Sequence, residues 1–156
     1  MKTRRAVTGV TLVELLIAMA IVAVLARLAV PTYQGYIRKA QRQVAGSCLM
    51  EIHRKMQVYN QNRASYPTTL TSLGYASTPV SCPESSYVVA LETYDRLSAA
   101  DCGSTARYQL RATSQNTSQA VDGSLVLGFC NNPDPNRRLI RDRILAGNVV
   151  KPWDGN

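Results

Sequence analysis

The sequence predicts an α+β protein, one long N-terminal helix packed on a small antiparallel β-sheet head. Two observations carry the helix. An apolar run extends from Val10 to Val30, and beyond Pro31 apolar residues recur at three- and four-residue steps. One observation carries the sheet. Tyr87–Thr93, Tyr108–Thr113 and Ser124–Phe129 are short runs rich in Val, Leu or Tyr, parted by Gly, Ser, Asp and Asn.

Size and charge bound the rest. The 156 residues hold one soluble domain at most beside the N-terminal segment. The formal charge is +8. Lys2, Arg4 and Arg5 stand just before the apolar run, and Arg137, Arg138, Arg141 and Arg143 cluster far along the chain. Four cysteines with no Cys-x-x-Cys, beside a single histidine, argue against a metal and for two disulfides in an oxidising compartment.

The run from Val10 to Val30 would extend ~31 Å as a helix, about one bilayer core. Its ionisable residues are Glu14 and Arg27. A secretory signal cut after Ala18-Met19-Ala20 would hold Glu14 inside its apolar core and leave Ile21 to Val30 without purpose. An uncleaved anchor fits better, with Lys2, Arg4 and Arg5 keeping the N-terminus in the cytoplasm. It still leaves Glu14 unexplained, because an acid at mid-bilayer costs ~2.5–3.5 kcal/mol.

Gly9-Val10-Thr11-Leu12-Val13-Glu14-Leu15-Leu16 resembles the prepilin processing motif of type IV pilins and type II secretion pseudopilins. The resemblance implies cleavage after Gly9, methylation of the new N-terminus at Val10, and an assembly role for the Glu14 carboxylate. Val10 departs from the phenylalanine usual in the family. Three parts follow: a leader over 1–9, a membrane or filament-core helix half over 10–33, and an extracytoplasmic head over 34–156 that includes the amphipathic helix half. The implied partners are other pilin subunits, a prepilin peptidase/methyltransferase and inner-membrane lipid. The implied place is the inner membrane, single-pass with the head periplasmic, and then an extracellular pilus used for adhesion, twitching motility or DNA uptake. A type II secretion pseudopilin is the alternative, since both assemblies share the motif.

Elementary electrostatics points the same way. Once apolar helices bundle, Glu14 needs a partner in a low-dielectric interior, and a displaced neighbour offers its amine at Val10. Breaking such a buried pair costs ~3–5 kcal/mol, so the pair selects one stagger. Arg27 stands where the family usually has a small apolar residue. It either snorkels to the outer interface or makes a further intersubunit pair.

Pro31 lacks a ladder donor, so the helix should bend or loosen there. Many pilins carry a proline at that place. Beyond it Tyr33, Ile37, Ala40, Val44, Cys48, Ile52, Met56 and Tyr59 form a stripe, and Asn60-Gln61-Asn62 should end the helix. Tyr66-Pro67 and Leu70-Thr71-Ser72-Leu73-Gly74-Tyr75 resemble the loop after the long helix in PilE-type minor pilins.

In an antiparallel meander the start of the second strand run neighbours the end of the third, which brings Cys102 near Cys130. Cys48 on the helix is then left to fasten Cys82. Of three possible connectivities, Cys48–Cys82 with Cys102–Cys130 is favoured.

No catalytic constellation, cofactor motif or metal spacing emerges, and the chain reads as a non-enzyme. His53 sits among helix residues, Asp95 and Asp101 flank a loop, and Asn116-Thr117-Ser118 matches a glycan acceptor. The arginines at 137, 138, 141 and 143 form a solvated or subunit-contacting face, or else contact DNA phosphates in a pilus-associated receptor.

Overall fold

The computed structural model describes residues 10–92, 106–134, 138–146 and 149–153. Its first element is α1, Leu12–Arg63, a helix of 52 residues that continues through Pro31 without interruption. The helix outlasts Asn60-Gln61-Asn62 by one residue. Ala64 ends it in the left-handed region at φ 53°, its amide donating to the Asn60 carbonyl at 2.7 Å. The chain forms two compact units, one through Ile37 and one from Arg38 onward.

In the second unit α1 is followed by a 3₁₀ turn at Leu70–Leu73 and by β1 (Val80–Ser81), β2 (Tyr87–Glu92) and β3 (Ala106–Ser114). A one-turn helix, α2 (Thr117–Ala120), leads to β4 (Ser124–Cys130), β5 (Leu139–Ile144) and β6 (Val150–Pro152). Among the described residues, six strands form one antiparallel sheet in chain order. The three runs expected from sequence are β2, β3 and β4. The segment beyond Asn131, unassigned from sequence, supplies β5 and β6.

Alternation sets the core. Tyr87 and Val89 on β2, Tyr108, Leu110 and Ala112 on β3, and Leu125 and Leu127 on β4 share one buried face. Against it lie Ala45, Leu49, Ile52 and Met56 of α1, spaced four, three and four residues apart and at most 1 % exposed. Truncating one of the large members to alanine would cost ~2–5 kcal/mol. The buried face is narrower than the predicted stripe. Tyr33 and Ile37 are exposed, and Cys48 flanks the core instead of filling it.

Leu70 of the 3₁₀ turn is fully buried in the same core, and Gly74 ends that turn at φ 87°, where a side chain would be strained. Cys48 and Cys82 are joined in a disulfide with Cα atoms 5.9 Å apart. Cys130, the last residue of β4, is also disulfide-bonded. Cys102 lies outside the described residues, as do Gly9, Asp95 and Asp101. Asn116 caps α2, its side chain accepting from the Ser118 amide at 3.0 Å, so the local acceptor pattern is a capping motif.

Candidate functional site

The N-terminal unit presents a helix with no apolar cover. Val10 to Arg27 are all exposed, and Leu12, Val13, Leu16 and Val22 each keep more than half of their surface in solvent. Among the described residues, no helix is long and apolar enough to cross a membrane. Contiguous apolar surface of this extent marks a contact with another apolar body.

At its start, Thr11 and Glu14 form a reciprocal capping box. The Thr11 hydroxyl accepts from the Glu14 amide at 3.3 Å. The Thr11 amide and hydroxyl both reach Glu14 Oε2 at 3.4 Å. Two helix-end donors are thereby satisfied, and the carboxylate is fixed at the positive end of the helix. Its second oxygen can accept an incoming amine. Sequence reasoning singled out Glu14 and missed Thr11. The signal was Thr-x-x-Glu ahead of an apolar run.

The head offers a groove of about 740 Å³ between α1 and the far edge of the sheet. Lys39, Arg42, Gly46 and Met50 line the helix side, with Leu125 and Trp153 opposite. The Trp153 indole N–H is shared between the carbonyls of Asp142 (2.8 Å) and Val126 (3.1 Å). Its ring edge seats against Gly46, where an added Cβ would lie 3.3 Å from Cζ3. Arg42 pairs with Asp122 at 3.6 Å.

Register places more basic residues on the sheet face that lends Leu125 to this groove. Leu127 pairs with Arg141, Leu125 with Arg143, and Arg143 with Lys151, and directly paired residues share a face. Arg141, Arg143 and Lys151 therefore lie on the face that carries the core, the first two on β5 and Lys151 on the edge strand β6.

The four expected arginines are accordingly divided. Arg137 lies outside the described residues. Arg138 is exposed, its Nε donating to the Asn132 carbonyl at 2.8 Å. Arg141 is exposed on β5, whereas Arg143 is only 8 % exposed and cannot meet a phosphate directly. Residues 139–144 form a paired strand, so Arg143, which sits on the same face as Arg141 and opposite Leu125, departs from the solvated face expected of it, whereas Arg138 and Arg141 keep theirs. The sequence reading did not propose Lys39 and Trp153, which line the groove, or Lys151, which shares a sheet face with Arg141.

Comparison with known proteins accounts for both parts. Residues 4–26 match the prokaryotic N-terminal methylation motif. Residues 31–132 match the family described as "Type IV minor pilin ComP, DNA uptake sequence receptor". That match spans more than half of the chain, and the chain belongs to this type IV minor pilin family. A "Fimbrial protein" of Neisseria meningitidis serogroup B is 32 % identical over 143 residues, 90 % of this chain and 79 % of the relative.

The "Type IV major pilin protein PilE1" of Neisseria gonorrhoeae is 42 % identical over 73 residues, 46 % of this chain and 43 % of the relative. The "Type II secretion system core protein G" of Dickeya chrysanthemi is 35 % identical over 77 residues, 49 % of this chain and 50 % of the relative. In these two comparisons the chain spans half or less of the relative's length. No solved structure matches the chain.

Proposed function

We propose that this chain is a minor subunit of a type IV pilus whose head takes hold of DNA through the basic rim of its groove. The observation that carries the reading is the exposed Arg141 and Lys151 on the sheet face that also supplies Leu125 to the groove, with Lys39 on the groove's helix side, in a family described as a DNA uptake sequence receptor. Exposed Lys and Arg neutralise phosphates and release condensed counterions, so binding of this kind is strong at low salt and falls as salt rises.

On the same reading, a prepilin peptidase/methyltransferase cuts after Gly9 and methylates the amine at Val10. The apolar helix half resides in the inner membrane until assembly, with the head outside the cytoplasm. Other pilins then cover that helix half in the filament, where the Glu14 carboxylate accepts a neighbour's amine. The subunit works by contact, with no catalytic step and no cofactor.

A type II secretion pseudopilin is the second reading, supported by the resemblance to core protein G. The family match over residues 31–132 favours the pilus, since it extends through the head, far past the motif the two assemblies share. The test is duplex binding by the full chain in detergent micelles across a salt series. Binding at ~50 mM salt that weakens steeply with added salt supports the proposal. No binding at that salt, or a flat salt dependence, overturns it.

A further inference from the structure

Arg27 is the residue of the N-terminal segment that neither processing nor Glu14 uses. Residues 10–37 carry one acid, Glu14, and one base, Arg27. Arg27 is exposed, and among the described residues it makes no hydrogen bond or ion pair. The residues three and four positions away are Ala23, Val24, Val30 and Pro31, none of which can accept from a guanidinium through its side chain. Around it Val24, Leu25 and Val30 are more than half exposed. The cation therefore stands in an open apolar collar.

A partner helix that covers the collar also removes the water around the guanidinium. Arginine stays charged in proteins, so the covered state needs a carboxylate on the covering surface. Glu14 of the same chain cannot supply it. Thirteen residues separate the two, which is ~20 Å along the axis and ~220° around it, nearly the opposite side of the helix. Complementary charges on opposite sides of one subunit make heterologous contacts, the kind that builds a helical filament wherever the rotation between subunits does not close a ring.

We infer that Arg27 docks on the apolar helix of a neighbouring pilin by pairing with the carboxylate in that helix's first turn, the group that Glu14 supplies in this chain. The inference rests on the pilin reading above. Charge complementarity selects this occupant, because a segment of this kind offers its carboxylate at that first turn and apolar side chains beyond it.

The experiment places a photoreactive benzoylphenylalanine at Val24, one turn from Arg27 and leaving it intact, in full-length chain produced in piliated cells. Sheared filaments are irradiated and cross-linked peptides mapped, beside Arg27→Lys and Arg27→Glu variants scored for incorporation. Membrane level and an oxidised Cys48–Cys82 bridge serve as controls for folding.

Cross-links to the first three turns of a partner pilin are expected. Arg27→Lys should keep most incorporation, and Arg27→Glu should lower it at least roughly tenfold at unchanged membrane level. Cross-links to lipid alone or to partner sites remote from those turns overturn the inference, as does full incorporation of Arg27→Glu. If the wild-type chain is absent from sheared filaments, the pilin reading itself has failed, and that outcome is separate from the others.

Discussion

The Tyr108 hydroxyl lies 2.7 Å from His53 Nδ1, joining β3 to α1 inside a cluster with Phe129, Tyr66 and Gln57. The bonding there is directional. Tyr66 donates to Gln57 Oε1 (3.3 Å) and Gln57 Nε2 donates to the Tyr108 oxygen (3.1 Å), while the imidazole tautomer sets which partner donates between Tyr108 and His53. Burial holds His53 below its ordinary value, favouring the neutral imidazole. Burial likewise pushes the Tyr108 phenol up, keeping its proton in place.

A pH dependence of stability follows. Between the lowered folded value and the ordinary value of 6.5, the unfolded chain binds more protons than the folded one at His53. The contribution is whole above 6.5 and is lost as pH falls through the folded value. Melting temperature should therefore drop between pH 7.5 and 5, and His53→Gln should flatten that drop. Tyr108→Phe should cost ~1–3 kcal/mol at neutral pH by leaving both His53 and Gln57 short of a partner.

Gly123 precedes β4 at φ 75°, and a Cβ there would collide with the carbonyl oxygen of Ile144 on the neighbouring strand. Gly123→Ala should destabilise the head by ~1–3 kcal/mol, with the loss confined to the β4–β5 pairing. Chemical denaturation with amide exchange read on β4 and β5 checks both statements.

Cys48 and Cys82 close a loop with a sequence separation of 34. Chain entropy assigns such a bridge ~3–4 kcal/mol. Cys48→Ala/Cys82→Ala should lower the denaturation midpoint accordingly, and reductant should shift the wild type by more than the variant, which has no Cys48–Cys82 bridge to lose.

Glu14→Ala should still be cut after Gly9 yet fail to enter filaments. Thr11→Ala should show a milder defect, because it loses a cap of ~1 kcal/mol and frees the carboxylate to turn without removing its charge. N-terminal sequencing and quantitative blotting of sheared filaments read the two variants. Normal incorporation of Glu14→Ala would contradict the register role.

Arg141 and Arg143 separate binding from folding. Arg141→Glu and Lys151→Glu should each weaken duplex binding and lower the salt slope by ~1 or more, with stability nearly unchanged. Arg143→Ala should lower stability and leave the salt slope as it was, because that side chain is buried.

The helix and the three central strands were legible because their patterns are physical necessities. A 3.6-residue period must face a core, and Tyr87, Tyr108 and Leu125 begin or sit in alternating apolar runs. β5 was hidden for the same reason. Leu139, Arg141 and Arg143 share one face, Ile140, Asp142 and Ile144 the other, and neither face is uniformly apolar. β1 has two residues and β6 three, too short for any periodicity. The groove was illegible because Lys39 and Trp153 meet only through the folded sheet, 114 positions apart in numbering (153 minus 39). Glu14 could be read from its chemistry alone, whereas Thr11 needed recognition that Thr-x-x-Glu caps a helix.

The sheet's spatial order equals its order along the chain, and this has a consequence for biogenesis. Each strand that follows in the chain finds its hydrogen-bonding partner already laid down, so the head can assemble vectorially, without waiting for distant sequence. Trp153 follows all six strands and ties β4 and β5 together against Gly46. It acts as a latch that closes after the sheet is complete. A chain arrested short of residue 153 would carry a full complement of strands and an unlatched groove, a state that a quality-control protease could tell from the finished subunit.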